Sequence, residues 1–159
     1  MKKIYKKWAW NIFSVLAVAV FGFILLNLAF LFDALYQGIV RGIVGFFISL
    51  GPESRLYWFP PLMHLSFLVL IGIISWIVLR SRLWTLLKAI YLCVPVVAVL
   101  VTLGMFLYGL PFVLYPLGAL FCFGILYYLY RTKKPWIYYF TVIFLSIVMA
   151  IFTLSGGEI

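Results

Sequence analysis

The sequence predicts an all-α integral membrane protein, a five-helix transmembrane bundle that forms a single domain over residues 1–159. Only 9% of the residues are charged, the mean hydropathy is +1.26, and aromatic residues make up 21% of the chain. A water-soluble domain cannot cover its surface with so few charged side chains. The apolar runs are long and continuous rather than alternating, which favours helices over strands as the spanning elements.

Five apolar runs approach the roughly 20 residues that a helix needs to cross a bilayer. The first run follows the basic start MKKIYKKWAW and is longer than the core of a signal peptide, so we expect a retained helix. A sixth segment, residues 34–50, is interpreted as an amphipathic helix that lies on the membrane surface or re-enters it. The five predicted spans cover residues 8–32, 59–79, 86–108, 112–130 and 136–153.

The basic residues predict how the chain is oriented. They form three groups, one before the first span, one between the second and third, and one between the fourth and fifth: Lys2, Lys3, Lys6 and Lys7; Arg80, Arg82 and Lys88; Arg131, Lys133 and Lys134. The positive-inside rule places all three groups in the cytoplasm, with the N-terminus inside and the C-terminus outside. A crossing by residues 34–50 would break this pattern, so that segment is predicted not to span. We expect the cytoplasmic membrane of a bacterium or archaeon, and no nucleic-acid partner.

The segment FDALYQGIVRGIVGFF, residues 32–47, carries the strongest candidates for a contact site. Asp33, Gln37 and Arg41 recur every four residues and therefore share one face of a helix. In the structural interpretation, Asp33 caps the N-terminus of the interfacial helix and Arg41 reaches a lipid phosphate or Glu53. In the functional alternative, the three side chains belong to a polar pathway at membrane depth. The next face holds small residues that let another helix approach closely, predicted as helix-packing positions: Gly38, Gly42 and Gly45.

His64 is the only histidine, and it lies near the predicted outer end of the second span. With a carboxylate it can carry out acid–base chemistry, although a lone histidine near a helix end is more often a hydrogen-bonded interfacial residue. We predict that it lines an outer-leaflet cavity with Asp33, Arg41, Glu53 and Arg55. One histidine and two widely spaced cysteines predict no metal site, and no cofactor motif is present. No acidic residue falls inside the five predicted spans, which argues against an ordinary proton-coupled carrier.

The arrangement resembles the tryptophan-rich sensory (translocator) proteins in shape. Those proteins also have five helices, a similar length, many aromatic residues and a long first loop, and WFPP at residues 58–61 is a local likeness. The predicted third span, residues 86–108, lacks the Asn and Trp pattern of that family. The resemblance therefore implies a common architecture and no function.

Three functions fit these observations. The leading hypothesis is a non-catalytic protein that acts through helix contacts, as a subunit or accessory of a membrane complex or as a homo-oligomer. The alternative is a binder or transporter of a small apolar or lipid-like ligand, with a cavity open to the outer leaflet of the bilayer. The third is an enzyme that acts on a lipid headgroup, with His64, a carboxylate and an arginine for the phosphate.

Overall fold

A computed structural model describes residues 2–47, 59–107 and 109–154, and every regular element in those ranges is a helix. The prediction of an all-helical chain with apolar helices of membrane-spanning length is therefore confirmed. Four stretches are both long and apolar enough to cross a bilayer: Trp8–Phe46, Pro61–Arg80, Thr85–Leu107 and Pro111–Arg131. A fifth apolar helix, Trp136–Ile151, is shorter.

The helices match the predicted spans closely, apart from the first. They are, in chain order, α1 (Lys2–Phe47), α2 (Phe59–Arg80), α3 (Thr85–Tyr91), α4 (Cys93–Leu107), α5 (Pro111–Arg131) and α6 (Trp136–Leu154). The third predicted span is divided at Leu92, close to Pro95. A proline has no backbone N–H, so the carbonyl of the residue four positions earlier loses its helical partner.

The predicted boundary between a first span and a separate helix over residues 34–50 is wrong, because α1 runs without a break through Asp33 to Phe47. The segment contains no proline, and the Asp33 side chain accepts a hydrogen bond from Gln37 instead of capping a helix end. The backbone is therefore free to continue the helix. Residues 34–47 prolong α1 and do not turn back across the bundle. Forty-six helical residues measure about 69 Å, more than twice the roughly 30 Å of a hydrocarbon core.

The tightest packing lies in the half of the bundle where α1 begins. The short helix α3 and the first turns of α4 fill the space between α1 and α6 there, with Ala89, Cys93, Val96 and Val142 almost completely buried. Further along α1, a smaller cluster of Phe67, Ile71 and Val94 joins α2 to α4. Helix α4 contacts all five other helices, whereas α5, within the described residues, contacts α4 and α6 alone. The bundle is thus organised around α4, with α5 at its edge.

Large apolar side chains remain exposed on the outer faces of the long helices. A monomeric soluble protein does not expose so much contiguous apolar surface. Phe112 and Leu120 on α5, and Phe23 on α1, are examples of such outward-facing side chains. This surface is suited to lipid, which agrees with the membrane-spanning length of the helices.

Candidate functional site

Asp33 lies inside the bundle, where α1, α2 and α4 meet. The cavity beside it is also lined by His64, five residues after the start of α2, and by Thr102, five residues before the end of α4. Five helical residues rise about 7 Å, so the carboxylate sits below the helix ends rather than at them. The predicted end of the first span at residue 32 is therefore corrected, because the apolar helix Trp8–Phe46 includes Asp33. The prediction ended the first span just before its first charged residue, Asp33, whereas α1 continues through Asp33 to Phe47.

Among the described residues, the carboxylate of Asp33 has one hydrogen-bond donor and lies near one imidazole. Its Oδ2 accepts from Nε2 of Gln37 at 3.0 Å, one helical turn further along α1. Nδ1 of His64 lies 3.8 Å from the same oxygen, and both side chains are about 85% buried. Among the described residues, Oδ1 has no partner although it is buried. A buried polar atom without a partner is costly and calls for a functional or structural explanation.

The cavity offers one such explanation. Its volume is about 30 Å³, and a water molecule needs about 10–15 Å³ when polar partners are present. Besides Asp33 and His64, its polar lining is Thr102, whose Oγ1 donates to the Ala98 carbonyl at 2.6 Å and keeps its lone pairs as acceptors. The site therefore suits a water molecule or another very small polar species, and it is too small for a lipid headgroup.

Among the described residues, Gln37 and Arg41 do not line this cavity. Arg41 is exposed, two turns further along α1 and about 12 Å of rise away from Asp33. Glu53 and Arg55 lie outside the described residues. A Cβ atom built at Gly38, Gly42 or Gly45 would meet no atom of the described residues within 4 Å. These glycines therefore pack against no helix of this part of the chain, and their role in a contact with a partner stays a prediction.

The close approach between helices is made by a different glycine. A Cβ at Gly22 of α1 would come within 2.8 Å of Sγ of Cys93 in α4. No sequence signal separates Gly22 from the other glycines of the apolar runs, and only the tertiary structure distinguishes it. Gly72 and Gly124, which also lie within apolar runs, face open space.

Hydroxyl groups also join helices near the Asp33 cavity. Ser66 of α2 donates to the Met63 carbonyl at 2.7 Å, so the Tyr36 hydroxyl donates to Ser66 Oγ at 2.9 Å. The rings of Phe32 and Tyr36 pack against Phe67. These contacts were not predicted, because no sequence signal indicates which residues of two distant helices meet.

A second, larger cavity lies on the other side of α4. This groove has a volume of about 350 Å³ and is enclosed by α4, α5 and α6. Its lining is almost entirely apolar or small, including Gly104, Gly118 and Ala119. The polar groups of Ser146 and Cys122 in its wall contact each other at 3.1 Å. Among the described residues, none of the predicted site residues lines the groove.

Among the described residues, no three His, Cys, Asp or Glu side chains come together as a metal site would require. No protein family, curated protein or solved structure matches this chain.

Proposed function

We propose that this protein is a membrane-embedded subunit or accessory protein that acts by packing the outer part of α1 against a helix of a partner. The observation that carries the proposal is the open glycine face, defined as Gly38, Gly42 and Gly45. These residues lie within about 60° of one another around the helix and have no neighbour among the described residues. Small residues in membrane helices serve mainly to let two backbones approach.

The surroundings of the glycine face support a protein partner. Gln37 and exposed Arg41 border it on one side, and exposed Ile39 and Ile43 lie on the other side of the helix. A partner helix lying on the glycine face would gain backbone contact and a nearby hydrogen-bonding arginine. In a bilayer, an apolar side chain has nearly the same free energy against lipid as against another helix. Helices therefore associate through van der Waals packing and polar contacts of this kind.

The experiment compares two glycine variants after extraction in a mild detergent. Gly42→Leu fills the glycine face, and Gly72→Leu adds the same side chain at an equally open position of α2. We expect the wild-type protein and Gly72→Leu to co-purify with a partner, or to run as an oligomer, and Gly42→Leu to lose that association. A wild-type protein that is monomeric and without a partner, with function unaffected by Gly42→Leu, would contradict the proposal.

The groove between α4, α5 and α6 favours a second candidate function, the binding of an apolar or lipid-like molecule. Its volume is in the range of small-molecule pockets, and its lining offers no charged group for a polar ligand. Ala119→Trp would fill the groove, whereas Leu120→Trp, at a strongly exposed neighbouring position outside the lining, would not. Loss of bound lipid from Ala119→Trp alone, measured by native mass spectrometry, would support this candidate. Equal lipid retention in both variants would exclude the groove as the binding site.

A further inference from the structure

A different part of the molecule, at the end where α1 begins, combines an open cleft with a repeated sequence pattern. A basic residue two positions before a tryptophan occurs three times, as Lys6-Lys7-Trp8, Arg82-Leu83-Trp84 and Lys134-Pro135-Trp136. The three segments are far apart in sequence, at the start of α1, before α3 and before α6.

The fold brings the second and third segments together with the part of α1 that follows the first segment. One cleft of about 480 Å³ is lined by Trp10 and Ser14 of α1, by residues 84–86, and by residues 135–137. Trp10, Trp84 and Trp136 are all exposed there, each by about half or more of its surface. Tryptophan prefers the boundary between lipid headgroups and acyl chains, where its ring is apolar and its N–H can donate a hydrogen bond.

The charged side chains described near the cleft are all basic. The only acidic residue among the described ones, Asp33, lies nineteen residues beyond Ser14 in α1, which is about 28 Å along the helix. Two of the nearby basic groups have internal partners: Arg80 stacks on Trp76 at 5.3 Å, and Lys88 donates to the carbonyls of Leu79 and Ser81. The side chains of Arg82 and Lys134 are exposed and make no hydrogen bond or ion pair with the described residues. They are therefore available to a ligand.

We propose that this cleft binds one anionic phospholipid, with Arg82 and Lys134 contacting its phosphate-bearing headgroup and the tryptophans packing along the glycerol and upper acyl chain. The tryptophan lining and the apolar helices that continue from the cleft favour a lipid over soluble phosphate as the ligand. Basic pockets between transmembrane helices are suited to anionic headgroups in this way. The site is separate from the glycine face and does not depend on the function proposed above.

Native mass spectrometry of the purified full-length protein tests the site, with phosphatidylglycerol and phosphatidylcholine of identical acyl chains as probes. We expect phosphatidylglycerol to bind at least about fivefold more tightly, since one basic residue near an anionic headgroup contributes about 1 kcal/mol. Arg82→Gln should weaken phosphatidylglycerol binding about fivefold, and Lys134→Gln should do the same independently. Arg41→Gln is the matched control, because it removes an exposed arginine from the far part of the same bundle.

Two further measurements distinguish a specific lipid-binding site from nonspecific electrostatic attraction of anionic lipids. Trp84→Leu should weaken binding of the same lipid, whereas Trp76→Leu, outside the cleft, should not. Equal affinity for the two lipids, equal losses from Arg82→Gln and Arg41→Gln, or displacement of the lipid by inorganic phosphate would each overturn the proposal. Circular dichroism and thermal unfolding confirm that each variant is folded before binding is compared.

Discussion

Two residues inside the bundle occupy positions where their surroundings restrict substitution. Gly22 is the clearest case, because its hydrogen atom faces Sγ of Cys93, which is itself almost completely buried. Asp33 is the second case, because it places a carboxylate between three helices, and Gln37 is its one hydrogen-bond donor in the part of the chain that the structure describes.

Gly22→Ala should lower the free energy of unfolding by about 1–3 kcal/mol, since the added methyl group must displace a sulfur atom in a packed interface. Chemical unfolding in detergent measures the change. Gly72→Ala and Gly124→Ala are the controls and should leave stability almost unaltered, because neither position has a neighbour within 4 Å. Adding Cys93→Ala to Gly22→Ala should restore part of the loss, since Cβ of residue 93 lies at an ordinary contact distance of 3.8 Å.

The Asp33–His64 pair should show energetic coupling in a double-mutant cycle. His64→Gln removes the imidazole from beside the carboxylate, and Asp33→Asn removes the carboxylate from beside the imidazole, so each single change should be destabilising. The double variant should be more stable than the sum of the two single effects predicts, with a coupling of about 0.5–3 kcal/mol. Strict additivity would show that the separation of 3.8 Å reflects proximity without interaction.

At the scale of the elements, a few capping and side-chain interactions determine where helices end and how they contact each other. Helix α5 ends in a Schellman motif: the N–H of Lys134 donates to the Leu129 carbonyl, and the N–H of Lys133 donates to the Tyr130 carbonyl. Lys133 has a φ of 49°, a backbone conformation that favours glycine. The part of α1 that follows Asp33 is joined to α2 by the Tyr36–Ser66 hydrogen bond and by packing of Tyr36 against the ring of Phe67.

Lys133→Gly should raise the free energy of unfolding by about 1 kcal/mol, because glycine adopts the left-handed conformation without a Cβ clash. Lys134→Gly removes the same charge from the adjacent position and should not stabilise the protein, because only Lys133 has a positive φ. Thermal unfolding of both variants in the same detergent makes the comparison. A stabilisation common to both would point to charge repulsion among the basic residues instead.

Phe67→Ala should loosen the outer part of α1 from α2. We expect a loss of about 1–3 kcal/mol, less than the roughly 3–5 kcal/mol of a soluble core, because lipid replaces water as the alternative environment. Hydrogen–deuterium exchange should become faster in residues 37–47 of α1 and stay unchanged in residues 15–25. Phe123→Ala removes an exposed ring from α5 and should alter neither region.

At the scale of the whole molecule, the basic residues are segregated along the bundle. The cleft shows that the start of α1, the α2–α3 connection and the α5–α6 connection share one end. The three groups of basic residues flank these segments. The structure thus brings together the groups that the positive-inside rule assigns to one side, while the identity of that side stays a prediction.

Cysteine labelling of cells tests the orientation, in a background without Cys93 and Cys122. A cysteine replacing Gly109, between α4 and α5, should react with a membrane-impermeant reagent added outside. One replacing Thr132, between α5 and α6, should react only after the membrane is permeabilised. The reverse pattern would invert the topology, and reaction of both from outside would mean that α5 does not cross.

The helical membrane class and four of the five span positions follow from the sequence by itself, because hydropathy and proline placement act within single segments. Asp33 shows the limit of such reasoning: a charge was taken as the end of a span, whereas the backbone hydrogen bonds of α1 continue through it and Gln37 donates to its carboxylate. Tertiary structure decided that Asp33 faces His64, that Gly22 rather than Gly38 packs inside the bundle, and that Trp10, Trp84 and Trp136 line one cleft. Each of these depends on which faces of distant helices pack together. The hydrophobic periodicity of one helix does not predict which helix packs against it.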